Sequence, residues 1–296
     1  MEKRYYFCLE LFILTVKLIF DRFKYTTVKE VTIMKEKTSP GTQKANSEKD
    51  YIDVHSKTSE LSGVAWFIET LLKRFRTGFF LSALVILYAI VILAMGISVA
   101  PGVYIFGLIS EFSSEWIPVF QYVAKGTAII SGFFLYGFSL ILVIPFFNFI
   151  MPFRVKPFRG SYFSLQSVPW YFHNAFIYVV RYTFLEFITP TPLNIFFYKM
   201  MGMKMGKGVQ INTTNISDAA LIELGDHVTI GGSATIIAHY AAKGYLVVAN
   251  TRIKEGATVG LKATIMGDVE IGKYATIAPH EVVMPKSRIP DGKKPA

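Results

Sequence analysis

From Met205 to the C-terminus, aliphatic residues recur every six positions, and no other feature constrains the fold of this 296-residue chain as tightly. The register reads Met205, Ile211, then Leu224, Ile230, Ile236, then Ile253, Val259, Ile265, Ile271, Ile277, Val283. Glycine follows the aliphatic at Gly206, Gly225, Gly231, Gly260 and Gly272, and a second small residue stands four places on, as at Val228, Ala234, Ala257 and Ala263. A helix repeats at 3.6 residues and a strand at 2, so neither alone gives a beat of six. A parallel β-helix does. Each side of its coil is a short strand with one inward aliphatic, each corner needs a small or φ-permissive residue, and three sides make a coil of about 18 residues.

The beat fails twice. Leu224 lies thirteen residues after Ile211, so one extra residue enters near Ser217–Asp218. Ile253 lies seventeen after Ile236, and the intervening stretch His239–Asn250 is expected to leave the coil as a loop. Insertions in solenoids collect on one face, which is often the working face.

Upstream, the chain has a different solvent in view. Residues 79–100 carry no charge over 22 positions, enough to cross a hydrocarbon core of about 30 Å as a helix, and residues 127–151 form a second uncharged run. Between them lie Glu111, Glu115 and Lys125, with Trp116 and Tyr122 suited to an interface. The net charge of +10 is unevenly spread: Lys73, Arg74 and Arg76 precede the first run and Arg154, Lys156 and Arg159 follow the second. The positive-inside rule puts both flanks in the cytoplasm. A nucleic-acid reader would gather its charge on one folded basic face; here the excess flanks apolar segments, which favours an anionic membrane surface over nucleic acid. The alternative is a pair of buried core helices.

The expected organisation is therefore a mixed membrane protein. Residues 1–62 form an N-terminal cytoplasmic segment, with an interfacial helix over Tyr5–Phe20 and a flexible polar stretch from residue 34; Met34 itself begins a start-like Met-Lys-Glu-Lys. Residues 63–160 hold the two-span hairpin. Residues 161–204, aromatic-rich and split by Pro190 and Pro192, form interfacial amphipathic helices. Residues 205–296 form the β-helix. The single cysteine, Cys8, excludes an internal disulfide.

The run Leu224–Ile236, the run Val259–Ile277 and the tail Val282–Gly292 resemble the hexapeptide-repeat, left-handed β-helix acyltransferases over nearly a third of the chain. The segment Thr191–Val209 is similar to the start of the β-helix in the membrane-bound C-terminal domain of poly-lysine-synthetase-type proteins. The resemblance implies a left-handed coil, an acyl-CoA donor (most simply acetyl-CoA), a homotrimer with its site between subunits, and location in the inner (cytoplasmic) membrane with the β-helix on the cytoplasmic side. The acceptor would then be a membrane-associated hydroxyl or amine. A non-catalytic membrane scaffold and an amide-forming domain using aminoacyl thioesters remain open.

Acyl transfer needs a base for the acceptor, and histidine is the usual one near neutral pH. His227, His239 and His280 all fall three places after the inward aliphatic, a corner position where a histidine is more often solvated than catalytic. His239 differs because it opens the insertion, and the resemblance implies a catalytic histidine on or beside such an excursion. Asp218 and Glu223 are the acidic partners, Asp218 being expected on an outward bulge or as a turn aspartate. Asn250, at the insertion's return, and His173, on the aromatic segment, could contact the acceptor, although packing is the commoner role for a histidine placed as His173 is. Lys262, Lys286 and Arg288 are candidates for the CoA phosphates. Three-histidine metal sites of the carbonic-anhydrase type would want two histidines about five apart; spacings of 12 and 41 between the coil histidines argue for no metal.

Overall fold

The computed structural model describes residues 58–59 and 61–294, all within one contact unit, Ile52–Ala296. The expectations placed on residues 1–57, including the Tyr5–Phe20 helix, Cys8 and Met34, lie outside the described residues.

A short helix, α1 (Gly63–Arg74), leads into two long ones, α2 (Arg76–Phe112) and α3 (Pro118–Ile150), of 37 and 33 residues. Both are long and apolar enough to cross a membrane. Most of their surface is uncovered by protein: Val85, Ile92, Val103 and Ile129 all stand exposed. An apolar surface of this extent would be a severe liability in water. The two helices cross where Gly102 meets Gly132; a Cβ on Gly102 would lie 2.8 Å from the Gly132 carbonyl oxygen, so glycine sets how closely the backbones approach.

The sequence places a connection over residues 101–126, yet the turn is only residues 113–117. Pro101 sits inside α2, and α3 starts at Pro118, in the first helical turn where a missing N–H costs nothing. Scattered charges at Glu111 and Lys125 do not end a helix, because the backbone ladder continues beneath them. At the other end Arg154 donates to the carbonyls of Phe149, Met151 and Phe153, closing the C-terminus of α3 with positive charge.

Two more helices follow, α4 (Val168–Thr183) and α5 (Pro192–Met200), where the amphipathic pattern expects them. Their buried faces cover protein. Phe172, Phe176, Ile177 and Val180 of α4 join Leu140, Ile141 and Ile144 of α3 in one core. Within α5, Asn194 Nδ2 donates to the Ile211 carbonyl and the Tyr198 hydroxyl to that of Thr214, so this helix seats on the first coil.

The C-terminal region winds three parallel sheets of four, three and five short strands. Partners Thr258 and Thr276, Thr264 and Val282, and Glu270 and Arg288 are each 18 residues apart, the length of one coil. Earlier in the chain Gln210 pairs with Thr229, 19 residues on, and Thr229 with Thr258, 29 on. The extra one and eleven residues are the two interruptions of the six-beat.

Inside the coil, Ile211, Leu224, Ile230, Ile236, Ile253, Val259, Ile265, Ile271 and Ile277 are buried. The small residues four places on, Val228, Ala234, Ala257, Ala263 and Ala275, are buried with them as a second inward stack, and the corner falls three places after the aliphatic, as the histidine spacing expects. There φ is positive: Gly208, His227, Ser233, Gly256, Lys262, Asp268, Tyr274, His280, Lys286 and Gly292. Only three of these ten are glycine; the coil's pairing carries the left-handed cost at the other seven. Gly260 answers a different need, since a Cβ there would come 2.6 Å from the Pro279 nitrogen of the next coil.

Candidate active site

Asp218 is the extra residue of the first coil, and the geometry follows from that. With φ at 58° it turns the chain left-handed and points its carboxylate inward, fully buried. The expected outward bulge is thus reversed: an inserted residue can satisfy its backbone by turning into the protein as well as away from it. Trp170 and Asn174, one helical turn apart on α4, reach down to it. Trp170 Nε1 and Asn174 Nδ2 each donate to Oδ1 at 2.7 Å, and the Asp218 amide donates back to Asn174 Oδ1 at 2.8 Å. Oδ2 accepts from the Ala238 amide at 2.8 Å and lies 2.5 Å from His239 Nδ1. Burial pushes the Asp218 carboxyl up, but the His239 hydrogen bond and charge, with the Asn174 and Ala238 donors, outweigh it and hold the group below the ordinary carboxylate range. An ionised, acceptor-only Asp218 fixes the proton of His239 on Nδ1, which leaves Nε2 as the lone-pair nitrogen.

His239 opens a hairpin. Residues His239–Ala242 pair antiparallel with Tyr245–Val248 across a Lys243-Gly244 turn, both turn residues having positive φ as a two-residue hairpin requires. The second strand also pairs with Phe158–Gly160, just after the helical hairpin, and Arg159 donates to the Tyr245 hydroxyl at 2.6 Å. The insertion is therefore a pinned strand pair and not a free loop. Beneath it Gly267 allows the next coil to approach: a Cβ there would lie 2.7 Å from the His239 nitrogen. Trp170 meets the imidazole edge-on, ring centroids 5.1 Å apart, leaving the His239 side chain 22% exposed.

That exposed part of His239 borders a cavity of about 590 Å³ between α2 and α4. Leu84, Leu87, Val91, Trp170 and Tyr171 are among its walls, and no Lys, Arg, Asp or Glu is.

The other sequence candidates lie apart from this pair. Glu223 is exposed on a coil face and pairs with Arg252 at 3.4 Å, as a surface ion pair would. Lys262 and Lys286 project from left-handed corners, and Arg288 is bound to Asp268 at 2.7 Å. Asn250 is exposed just past the hairpin. His173 is buried and does not line the cavity: its Nε2 accepts from the Ala220 amide at 3.3 Å, so Nδ1 donates to Asn148 Oδ1 at 3.1 Å. Burial, opposed by the Asp218 charge, lowers its pKa to about 4 and keeps it neutral. It ties α4 to α3 and to the first coil. His227 and His280 stand exposed at corners. Trp170 and Asn174 escaped the sequence reading; their signal was an i, i+4 pair of hydrogen-bonding side chains on one face of an otherwise apolar helix. Among the described residues no group of three or more His, Cys, Asp or Glu is placed to hold a metal ion.

No protein-family model matches the chain. Over 161 residues, 53% of this chain, it is 19% identical to the delta-poly-L-ornithine synthetase of Acinetobacter baumannii (strain AB307-0294), and it spans 12% of that protein's length. Among solved structures, serine acetyltransferase from Neisseria gonorrhoeae is similar over 64% of this chain and 62% of its own, at 13% identity and a TM-score of 0.30. Its complex with serine is similar over 40% and 51%, at 20% identity and a TM-score of 0.25. The enzyme from Brucella abortus strain S19 is similar over 58% and 70%, at 14% identity and a TM-score of 0.25.

Proposed function

We propose that this chain is a membrane-bound acyltransferase that moves an acyl group, most simply acetyl, from CoA to a hydroxyl or amine of a membrane-associated acceptor. The observation that carries the reading is the His239–Asp218 pair: an imidazole whose Nδ1 is held at 2.5 Å by a buried carboxylate, on the rim of a cavity. A base oriented by a third group is the arrangement that activates an oxygen or nitrogen nucleophile. The acceptor's proton passes to Nε2 as its oxygen or nitrogen bonds to the thioester carbonyl carbon. The carbon–sulfur bond breaks, and the proton returns from Nε2 to the leaving sulfur. Asp218 stays ionised and stabilises the imidazolium between these steps; Trp170 and Asn174 keep Asp218 in place.

The remaining assignments belong to the same reading. The α2–α3 hairpin spans the inner membrane with the β-helix cytoplasmic, the coil is left-handed, and three copies assemble. Lys262 and Lys286, being exposed, are better placed to meet donor phosphates than Arg288, which Asp268 already engages. An amide-forming role with an aminoacyl thioester is a second reading, favoured by the likeness to a delta-poly-L-ornithine synthetase. The test is CoA release by the purified chain with an acceptor-bearing membrane extract. Wild type should release CoA and His239→Ala should not; equal release by both sinks the base assignment, and release only with an amine acceptor and an aminoacyl thioester selects the second reading.

A further inference from the structure

We propose that the cavity between α2 and α4 seats an aliphatic chain of the acceptor, so that the acceptor is a lipid whose hydroxyl or amine head meets His239. The proposal deepens the acyltransferase reading and rests on the His239–Asp218 pair acting on the acceptor. On α2 the wall is built by Phe80, Leu84, Leu87, Val91 and Met95, spaced by four, three, four and four residues, which is one continuous helix face. Fifteen rises of about 1.5 Å, from Phe80 to Met95, make that face about 22 Å long. It belongs to a helix whose neighbouring faces, at Val85, Ile86 and Ile92, are exposed and apolar, so the cavity is continuous with the surface a bilayer would cover.

The chemistry of the walls chooses the occupant. At about 590 Å³ the cavity lies in the range of small-ligand sites, but those sites fix orientation with a few convergent polar groups along their length. Here the titratable groups are confined to His239 and tyrosine hydroxyls, and no lining side chain carries a full charge. Arg76 and Arg181 stack on the lining rings of Phe163, Tyr178 and Tyr182 but are not themselves in the wall, so the donor's phosphates would meet no lining cation along the slot, and burying them there is costly. A water-soluble acceptor could bond only to scattered tyrosine hydroxyls and a few small polar groups, and would leave the Phe80–Met95 face without a partner. A hydrocarbon chain uses the whole face and needs a polar terminus only where His239 stands.

The test uses the full chain in phospholipid nanodiscs, irradiated with a long-chain alcohol bearing a mid-chain diazirine, with adducts mapped by peptide mass spectrometry. Adducts at Leu84, Leu87, Val91 and Tyr171 should exceed those at Val85, Ile86 and Ile92 by about tenfold, a margin worth two buried methylenes. Excess unlabelled alcohol should displace them, and Ala83→Trp/Leu87→Trp, checked for unchanged thermal unfolding, should abolish them. Equal labelling of the two faces overturns the proposal, because the alcohol then only samples the bilayer. Labelling of the groove solely in a chain beginning at Met34 also overturns it, since the Tyr5–Phe20 run would then be the natural occupant. His239→Ala separates this claim from the one beneath it. Selective labelling with turnover intact removes the base and leaves the lipid site; turnover lost without selective labelling removes the lipid site and leaves the base.

Discussion

Asp218 and His239 stand 21 residues apart in sequence with Oδ2 and Nδ1 2.5 Å apart in space, and each sits at one of the two places where the six-residue beat breaks. The single inserted residue and the eleven-residue insertion fall on successive coils, where Ile216 bridges Ile236 in parallel. A solenoid stacks equivalent positions of consecutive turns, so two interruptions one turn apart must meet. The coil itself is a regular scaffold; the departures from it make the candidate site.

Asp218→Asn isolates the role of the charge. The amide keeps the shape but sets one NH2 against donors already aimed at that position, and it no longer fixes His239 with its proton on Nδ1. Turnover should fall by about 10²–10⁴-fold with the CoA Kd within a few-fold of wild type. Unpaired buried donors should also lower stability by about 1–3 kcal/mol, visible as a lower Tm. Wild-type kcat in a folded Asp218→Asn chain would remove Asp218 from the chemistry.

Gly267→Ala probes position without touching either partner. A methyl at 2.7 Å from the His239 nitrogen cannot be accommodated without shifting the strand that carries His239. The expected result is a fall in kcat of about tenfold or more from a sub-ångström displacement, with KM for the donor little changed. Ala263→Gly, in the same coil but remote from the hairpin, should leave kcat near wild type. A kcat unaffected by Gly267→Ala would mean that the hairpin yields and the base is not rigidly held.

Much of this was legible in the residues, and the misses have identifiable causes. A strict period survives any tertiary context, so the coil, its inward aliphatics and both interruptions could be read directly. The hairpin at His239 was expected as a loop, yet its Tyr-Leu-Val-Val strand pairs locally with His239–Ala242 and, on its other edge, with Phe158–Gly160 far upstream. Its local signal was Lys243-Gly244, a short turn between β-formers. The direction of Asp218 was not legible, since an inserted residue can turn in or out and only Trp170 and Asn174 on a separate helix decide it. His173 is a site candidate in the sequence because its aromatic segment reads as interfacial, where it could face an acceptor; what it serves is a buried backbone amide, Ala220 N–H, which no sequence pattern reports.

His173 also dictates a pH dependence. Its folded pKa of about 4 lies below the ordinary 6.5, so the unfolded chain binds more protons between those values. Stability from this group is complete above pH 6.5 and declines as pH falls to about 4, by about 3 kcal/mol in all. Asp218 acts with the same sign at lower pH, because its depressed carboxyl keeps its contribution until pH drops through the folded value. Thermal unfolding in detergent should show Tm falling from pH 7 to 4.5. His173→Asn, less stable at pH 7, should show a flatter profile over that window. A profile as steep as wild type's in the variant would assign the loss to other groups.

The orientation of the helical hairpin can be tested at its turn. Lys73, Arg74 and Arg76 sit at one end of the pair, with Arg154, Lys156 and Arg159, while residues 77–150 hold one lysine against two glutamates. Lysine and arginine near span ends stay on the cytoplasmic side. The turn at residues 113–117 should therefore face outward, and the C-terminal coil should face the cytoplasm. Ser114 is exposed in that turn, and Lys294 is exposed at the far end of the coil. In a Cys8→Ser background, Ser114→Cys should react with a membrane-impermeant maleimide in intact cells. Lys294→Cys should react only after the membrane is opened. The opposite pattern would invert the topology and place His239 away from cytoplasmic CoA, so it would remove the donor assignment as well. Labelling of both positions in intact cells would mean that the hairpin does not span the bilayer.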